Sequence, residues 1–375
     1  LARVIGVDKF GALAFAAAVI AYFIAVVDYG FDYTSVRDIS RQKEDNYAVS
    51  KIFSNVLFAR LILMVISFLI LVLLILTVPI FRDNKLILLL TFLQIPGKIM
   101  LPDWFFQGME KMKFITIRST IAKLIFTILI FVVIRKEEDY IYQPVLLFFG
   151  FFISGLTAMY YIFKTFKIKL IIPTYKELMK TIKDGWNMFL SIFFPNMYSN
   201  FSGILLQAYG GNYANGIFDA GRKFITISQK ITTVISRTFY PFLARRMDKH
   251  IFYQKISFST SLIISVVLFF GADFLIHIFY TKAFDDAVIV LRILSVSIIF
   301  MFLSNAYGTN YLVLVNQEKI YRKIIVFSSI IGFFISLVSV IYFGYIGAAF
   351  TILIVRGYMG IATMFYALKH KKLNI

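Results

Sequence analysis

The sequence predicts an all-α, polytopic membrane protein, and three observations carry that expectation. Of 375 residues 60% are hydrophobic and the mean hydropathy is +0.81, more apolar surface than a soluble domain has core to hold. Apolar runs of about 18 residues or more, the length a bilayer-spanning helix needs, recur along the sequence. No run alternates apolar and polar residues with the period of two that a membrane barrel shows. Helices are then the remaining way to satisfy the backbone in lipid.

Eleven runs are expected to span, near 11–31, 52–80, 86–107, 114–134, 142–163, 185–207, 214–241, 257–280, 287–312, 320–342 and 346–368. The loops on one side (31–51, 107–113, 164–183, 242–255, 316–323 and the tail from 369) hold 22 Lys and Arg, and the opposite loops hold seven. The positive-inside bias places the first set and the C-terminus in the cytoplasm, and Leu1 outside. LARVIGVDKFG reads as a loop leaving a membrane, so a twelfth, missing first helix ahead of it is expected, which would bring both ends inside.

The longest connection, Lys164 to Gly185, carries six lysines and follows what would be the sixth helix. It divides the chain into an N-terminal bundle (1–163), a basic cytoplasmic linker (164–184) and a C-terminal bundle (185–375). A faint internal echo accompanies the division. Gly6, Gly11 and Ala16 enter the first span at the five-residue spacing with which Gly211, Gly216 and Gly221 enter its counterpart. Halves related by an axis along the membrane normal would place a site between them.

Ten basic residues remain inside the spans: Arg60, Lys98, Arg118, Lys123, Arg222, Lys223, Lys230, Arg237, Arg292 and Arg356. A cation at the bilayer centre costs at least about 2.5 kcal/mol, so this excess calls for water or protein around it. The densest group lies in Gly216–Arg245, where steps of seven put Lys223, Lys230 and Arg237 on one helical stripe beside Thr226, Thr233 and Ser236. Asp219, one turn earlier, can pair with Lys223 or Arg222. Arg237 can snorkel to the interface, but Lys230 is too deep.

In chain order, Asp28 sits inside the cytoplasmic end of the first span as a protonatable partner for a cation such as Arg60, whereas Asp32 to Asp45 read as a solvated turn broken at Gly30. Lys98 lies beside the interruptions at Pro96-Gly97 and Pro102, where freed carbonyls need neighbours or water. Thr116, Thr120, Lys123 and Thr127 share a helical face, and Arg118, pointing away, reads as an interfacial anchor. The span from Trp186 carries Asn187, Asn196, Ser199, Asn200, Ser202 and Gln207 with Pro195 at its middle. Those groups suit sugar hydroxyls, or helix-to-helix hydrogen bonds equally well. Asp273 and His277 read as an interfacial pair near the outer surface, as does Arg292. Arg356 is mid-span with no acid in its own helix.

Composition also excludes. There is no cysteine, and His250, His277 and His370 are far apart in sequence, so neither thiol chemistry, a metal site nor another bound cofactor is expected. A net charge of +19 would suit nucleic acid in a soluble protein, but here it lies in membrane loops and spans. An integral-membrane polymerase or ligase would want a long outer loop with convergent acids, Arg or His, and the outer loops are only a few residues long.

The stretch DWFFQGMEKMKFITIRS (103–119), with GVDKFGALAFAAAVIAYFIAVVDYGFDYTSVRDIS (6–40) upstream, resembles the Wzx-type O-antigen and polysaccharide flippases of the multidrug/oligosaccharidyl-lipid/polysaccharide exporter superfamily. The resemblance implies twelve helices in two bundles around a central cationic cavity. It also implies a substrate, an oligosaccharide on undecaprenyl pyrophosphate, moved from the cytoplasmic to the periplasmic leaflet, with polymerase and chain-length proteins as partners. On that expectation Lys98, Lys123, Lys223, Lys230, Arg237, Arg356, Arg60 and Arg222 serve the pyrophosphate. Asn187, Asn196 and Asn200 serve the sugars. A coupling ion, H+ or Na+, would need an acid among Asp28, Asp103, Asp219 and Asp273. The alternative within the superfamily is an exporter of a drug or a small anion; ten intramembrane bases argue against cationic cargo.

Overall fold

A computed structural model describes residues 1–373, apart from the side chains of Thr116, Arg118, Ser119, Lys123, Asn187, Ser191, Ile192, Pro195, Asn196, Met197, Ser199, Pro241, Lys372 and Leu373. The described residues are all-helical, with no strand among them. In order they form α1 (Ala2–Asp28), α2 (Phe31–Gln42), α3 (Asn46–Thr77), α4 (Pro79–Asp83), α5 (Lys85–Phe92), α6 (Gln94–Ile99), α7 (Asp103–Gly108), α8 (Met112–Val133) and α9 (Tyr142–Thr165). These are followed by α10 (Tyr175–Arg245), α11 (His250–Phe270), α12 (Ala272–Phe279), α13 (Ala287–Leu303), a π-helix (Ser304–Leu312) and α14 (Glu318–Leu373).

Among the described residues eight helical stretches are long and apolar enough to cross a membrane, against the eleven runs read from sequence. One reason is that Glu318–Lys371 counts once although it contains a reversal; α10, whose arms carry many Asn, Ser, Lys and Arg, is not among the eight. α10 and α14 each consist of two arms joined at a glycine with positive φ, Gly211 (66°) and Gly344 (53°). In a straight helix residues 203 and 215 would be about 18 Å apart. Instead Asn215 donates to the Gly203 carbonyl at 2.8 Å and to Gln207 Oε1 at 3.1 Å, while Gln207 donates to Asn212 at 2.6 Å. The chain therefore turns back at Gly211, where a side chain would be strained. Gly6 in α1 repeats that backbone conformation (φ 72°, ψ 175° against 66° and −164°), giving the glycine echo a structural meaning.

The chain divides into two compact units. One comprises Leu1, Arg3–Ile5 and Ala16–Phe193, the other Ala2, Gly6–Phe15 and Phe194–Ile375. The first is held by an aromatic core in which Phe31, Phe53, Trp104, Phe105 and Phe106 are almost wholly buried. Three of these come from the DWFFQG stretch, which forms α7 after the break at Pro102. Phe105 meets Phe53 and Phe166 edge-on at 5.6 and 5.2 Å, geometries that aromatic quadrupoles favour. Gly108 lets α2 approach, since a Cβ there would sit 2.7 Å from Ile39 Cγ2. The basic linker is pinned rather than loose: the Lys169 and Ile171 amides donate to Ser50 and Ser54 of α3 at 3.1 and 2.9 Å.

In the second unit α11 presents buried Ser257, Ser261 and Ser265 every fourth residue, and Ser265 donates to the Ser295 carbonyl of α13 at 2.9 Å. Small residues at that spacing bring helices close where lipid supplies no hydrophobic drive. Residues 6–15 of α1 cross the second arm of α10 equally closely. A Cβ on Gly11 would overlap the Asn212 carbonyl and lie 2.9 Å from Gly216 N, and one on Gly216 would overlap the Val7 carbonyl.

Candidate functional site

Two groups of interior charge stand out, one in each unit. In the first, Arg60 of α3 is 3% exposed, and its Nη2 lies 2.5 Å from Asp32 and 3.6 Å from Asp28. Its guanidinium also sits 5.9 Å from the Trp104 ring centroid, within cation–π range. Asp28 was expected as the partner. Asp32, read from sequence as a solvated residue, is the nearer one, because the left-handed Tyr29-Gly30 turn (φ 46° and 77°) separates α2 from α1 and the first turn of α2 lies against α3. Gly30 is required there, since a Cβ would lie 2.5 Å from Met188 Cβ.

Lys98, in the short α6, is half-buried with its ammonium 5.6 Å from the Phe151 ring centroid and within electrostatic reach of Asp28. Asp103 opens α7 and is half-buried. Arg60→Ala would leave two carboxylates without their cation, one of them well exposed. The expected cost lies between those of an exposed and a buried pair, about 1–3 kcal/mol, read as a lower melting temperature of the purified protein, with Arg60→Lys intermediate.

The second group draws on four helical segments of one unit. From the second arm of α10 come Arg222 and, seven residues later on the same face, Gln229. The first arm supplies Asn200, 8% exposed, α13 supplies Ser297, and α14 supplies Arg356. Arg222 Nη2 donates to Asn200 Oδ1 at 3.2 Å. Arg356 Nη1 donates to Ser297 at 3.0 Å and Nη2 approaches Gln229 Oε1 at 3.5 Å, while the Tyr198 side chain also faces it. Among the described residues no carboxylate lies within 4.0 Å of Arg356. A guanidinium has five N–H donors and here spends few of them on neutral acceptors, so it keeps capacity for an anion.

The stripe on α10 is less uniform. Lys223, one of the two partners that spacing allowed Asp219, pairs with it at 3.1 Å and is well exposed. Lys230 and Arg237 are also exposed and form no hydrogen bond or ion pair among the described residues. Exposed Ile227, Ile231 and Val234 share that surface with them. Lys123, Asn187 and Asn196 have side chains outside the described residues. Of the remaining polar groups near Asn200, Ser202 bonds Ser336 at 2.9 Å and Gln207 stitches the Gly211 turn. Arg292 pairs with the Asp273 carboxylate, while His277 lies with Nε2 3.2 Å from the Asp285 carboxylate and Nδ1 2.7 Å from the Asp273 backbone carbonyl. Sequence reasoning missed Gln229, Ser297 and Tyr198; the seven-residue step from Arg222 to Gln229 was the available signal for the first.

Long apolar helices, with a guanidinium at Arg356 that has no carboxylate within 4.0 Å among the described residues, define a multi-pass membrane protein, and similar structures agree on the fold. The chain matches the inward-facing conformation of a multidrug resistance MATE family transporter of the MOP superfamily with a TM-score of 0.76 at 14% identity, over 97% of this chain and 91% of that one. It matches the inward closed conformation of the lipid II flippase MurJ with a TM-score of 0.65 at 15% identity, over 98% and 85%. A protein of Escherichia coli (strain K12), named as a candidate O-antigen transporter, is 27% identical over 361 residues, 94% of this chain and 87% of that protein. The family model described as polysaccharide biosynthesis protein matches residues 1–247. The chain belongs to that family.

Proposed function

We propose that the chain flips a polyprenyl-pyrophosphate-linked oligosaccharide, an O-antigen or related repeat unit, from the cytoplasmic to the periplasmic leaflet of a bacterial inner membrane by alternating access, with its C-terminus in the cytoplasm. The observation that carries this reading is Arg356, held by Ser297 and Gln229 with no carboxylate beside it among the described residues and with Arg222 in its field. A pyrophosphate crossing about 30 Å of hydrocarbon must exchange its hydration for fixed donors, and guanidinium supplies them in a bidentate fork. Asn200, with Asn187 and Asn196 on the same arm, is suited to sugar hydroxyls. The named relatives' O-antigen transport and the lipid II flippase fold support the substrate class.

Coupling to H+ or Na+ would use a carboxylate whose surroundings change between the two openings, and Asp28, Asp103 and Asp219 are the candidates. The glycan would pass to polymerase and chain-length proteins on the far side. The test is a deletion strain. Lipid-linked repeat units should accumulate on the cytoplasmic side while the glycosyltransferases stay active, and dissipating the proton gradient should reproduce the block if the coupling is protonic. Normal periplasmic delivery in the deletion strain would contradict the proposal.

A further inference from the structure

The first unit holds a cavity of about 580 Å³ framed by α2, the start of α3 and the start of α10, a volume within the roughly 300–1,000 Å³ of small-molecule sites. It lies among the lysine-rich loops that the positive-inside bias puts in the cytoplasm, and it shares no residue with the Arg222–Arg356 group. Its lining has the chemistry of a polyol site. The amides of Gln42 and Asn55 and the ammoniums of Lys176 and Lys180 make no hydrogen bond or ion pair among the described residues. Ser35, 2% exposed, lines the cavity with a hydroxyl that has no hydrogen-bond partner among the described residues. A rigid edge is provided by Lys51 and Glu177, 2.5 Å apart; the Lys51 ammonium and the Thr174 amide hold the Glu177 carboxyl down to about 2, so the pair is intact throughout the physiological range.

We propose that this cavity binds saccharide rings, a second site that receives the glycan of the substrate on the cytoplasmic side; the substrate class rests on the function proposed above. The charges lining the cavity are nearly balanced. A phosphate calls for a surplus of cations, whereas the walls here hold Arg37, Lys51, Lys176 and Lys180 against Asp38, Glu177 and Asp184. Sugar hydroxyls both donate and accept, so mixed ammonium, carboxylate and amide groups can satisfy them without large net charge. Ile52 and Val56 offer the apolar patch on which the C–H face of a ring can rest.

The test uses the full chain in nanodiscs, with N-acetylglucosamine and glucuronic acid as probes read by saturation-transfer difference NMR, and inorganic pyrophosphate read by 31P line broadening. Asn55→Leu and Lys180→Ala should reduce the sugar signals at least about fivefold and leave the pyrophosphate broadening intact, which also reports that the variants are folded. Arg356→Ala should do the reverse. The cavity proposal is overturned if the wild-type chain gives no sugar signal, if the cavity variants keep it, or if they lose the pyrophosphate broadening instead. Failure in the Arg356 arm alone counts against the transport reading and not against sugar binding.

Discussion

Arg356→Ala is expected to slow delivery of the lipid-linked glycan roughly ten- to a hundredfold at unchanged protein level. The size follows from the donors lost: hydrogen bonds to a charged group are worth about 1.5–3 kcal/mol, and each 1.4 kcal/mol is a factor of ten. Arg356 sits mid-helix in the second arm of α14, and its described partners Ser297, Gln229 and Tyr198 are neutral side chains that can remain hydrogen-bonded to others or to water when it is removed. Removing it therefore takes away an uncompensated charge, and the folded chain should be as stable as before or more so. Arg356→Lys keeps the charge and loses the fork, so an intermediate rate is expected. The measurement is periplasmic repeat-unit delivery per molecule of protein, with thermal melting alongside. A fall in melting temperature that tracks the fall in rate would make Arg356 a packing residue.

Gly11→Ala is expected to give the largest loss of stability among single-methyl changes. Its Cβ would overlap the Asn212 carbonyl and meet Gly216 N at 2.9 Å, backbone atoms that no side-chain rotation can move aside. Overpacking typically costs about 1–3 kcal/mol, and contact with backbone on two sides puts this site at the upper end. Gly216→Ala, against the Val7 carbonyl, should behave similarly. Gly357→Ala is the control. Its Cβ would find nothing nearer than Phe300 at 3.8 Å, and alanine in a helix interior gains about 0.5–1 kcal/mol over glycine, so that variant should melt at or above the wild-type temperature. Equal melting of the Gly11 and Gly357 variants would show that the crossing of α1 over α10 has slack.

The helical character was legible because lipid leaves the backbone few choices and because apolar length is a strong signal. The breaks were legible too: Pro96-Gly97 and Pro102 split one stretch into α5, α6 and α7, and Gly211 and Gly344 turn two long helices back on themselves. Partnerships were harder. Asp28 was found beside Arg60, but Asp32 was passed over, because whether an exposed acid after a turn folds back onto a buried cation depends on tertiary approach. Spacing narrowed the partner of Asp219 to Lys223 or Arg222, and the pair formed is with Lys223. Ser297 and Gln229 around Arg356 did not, since each arrives from a different helix and looks in sequence like an ordinary polar residue. The π-helix at Ser304–Leu312, whose buried Asn310 donates to Ser236 at 2.6 Å and Tyr253 at 2.9 Å, had no sequence signal that periodicity could detect.

Interior guanidinium recognising an anionic headgroup is tested most directly in proteoliposomes holding the purified chain and two fluorescent lipids with the same disaccharide, one on polyprenyl pyrophosphate and one on an uncharged linker. The wild-type chain should translocate the pyrophosphate lipid at least about tenfold faster, and the Arg222→Ala/Arg356→Ala double variant should lose that preference. Equal rates for the two lipids in the wild type, or an undiminished preference in the double variant, would contradict the account.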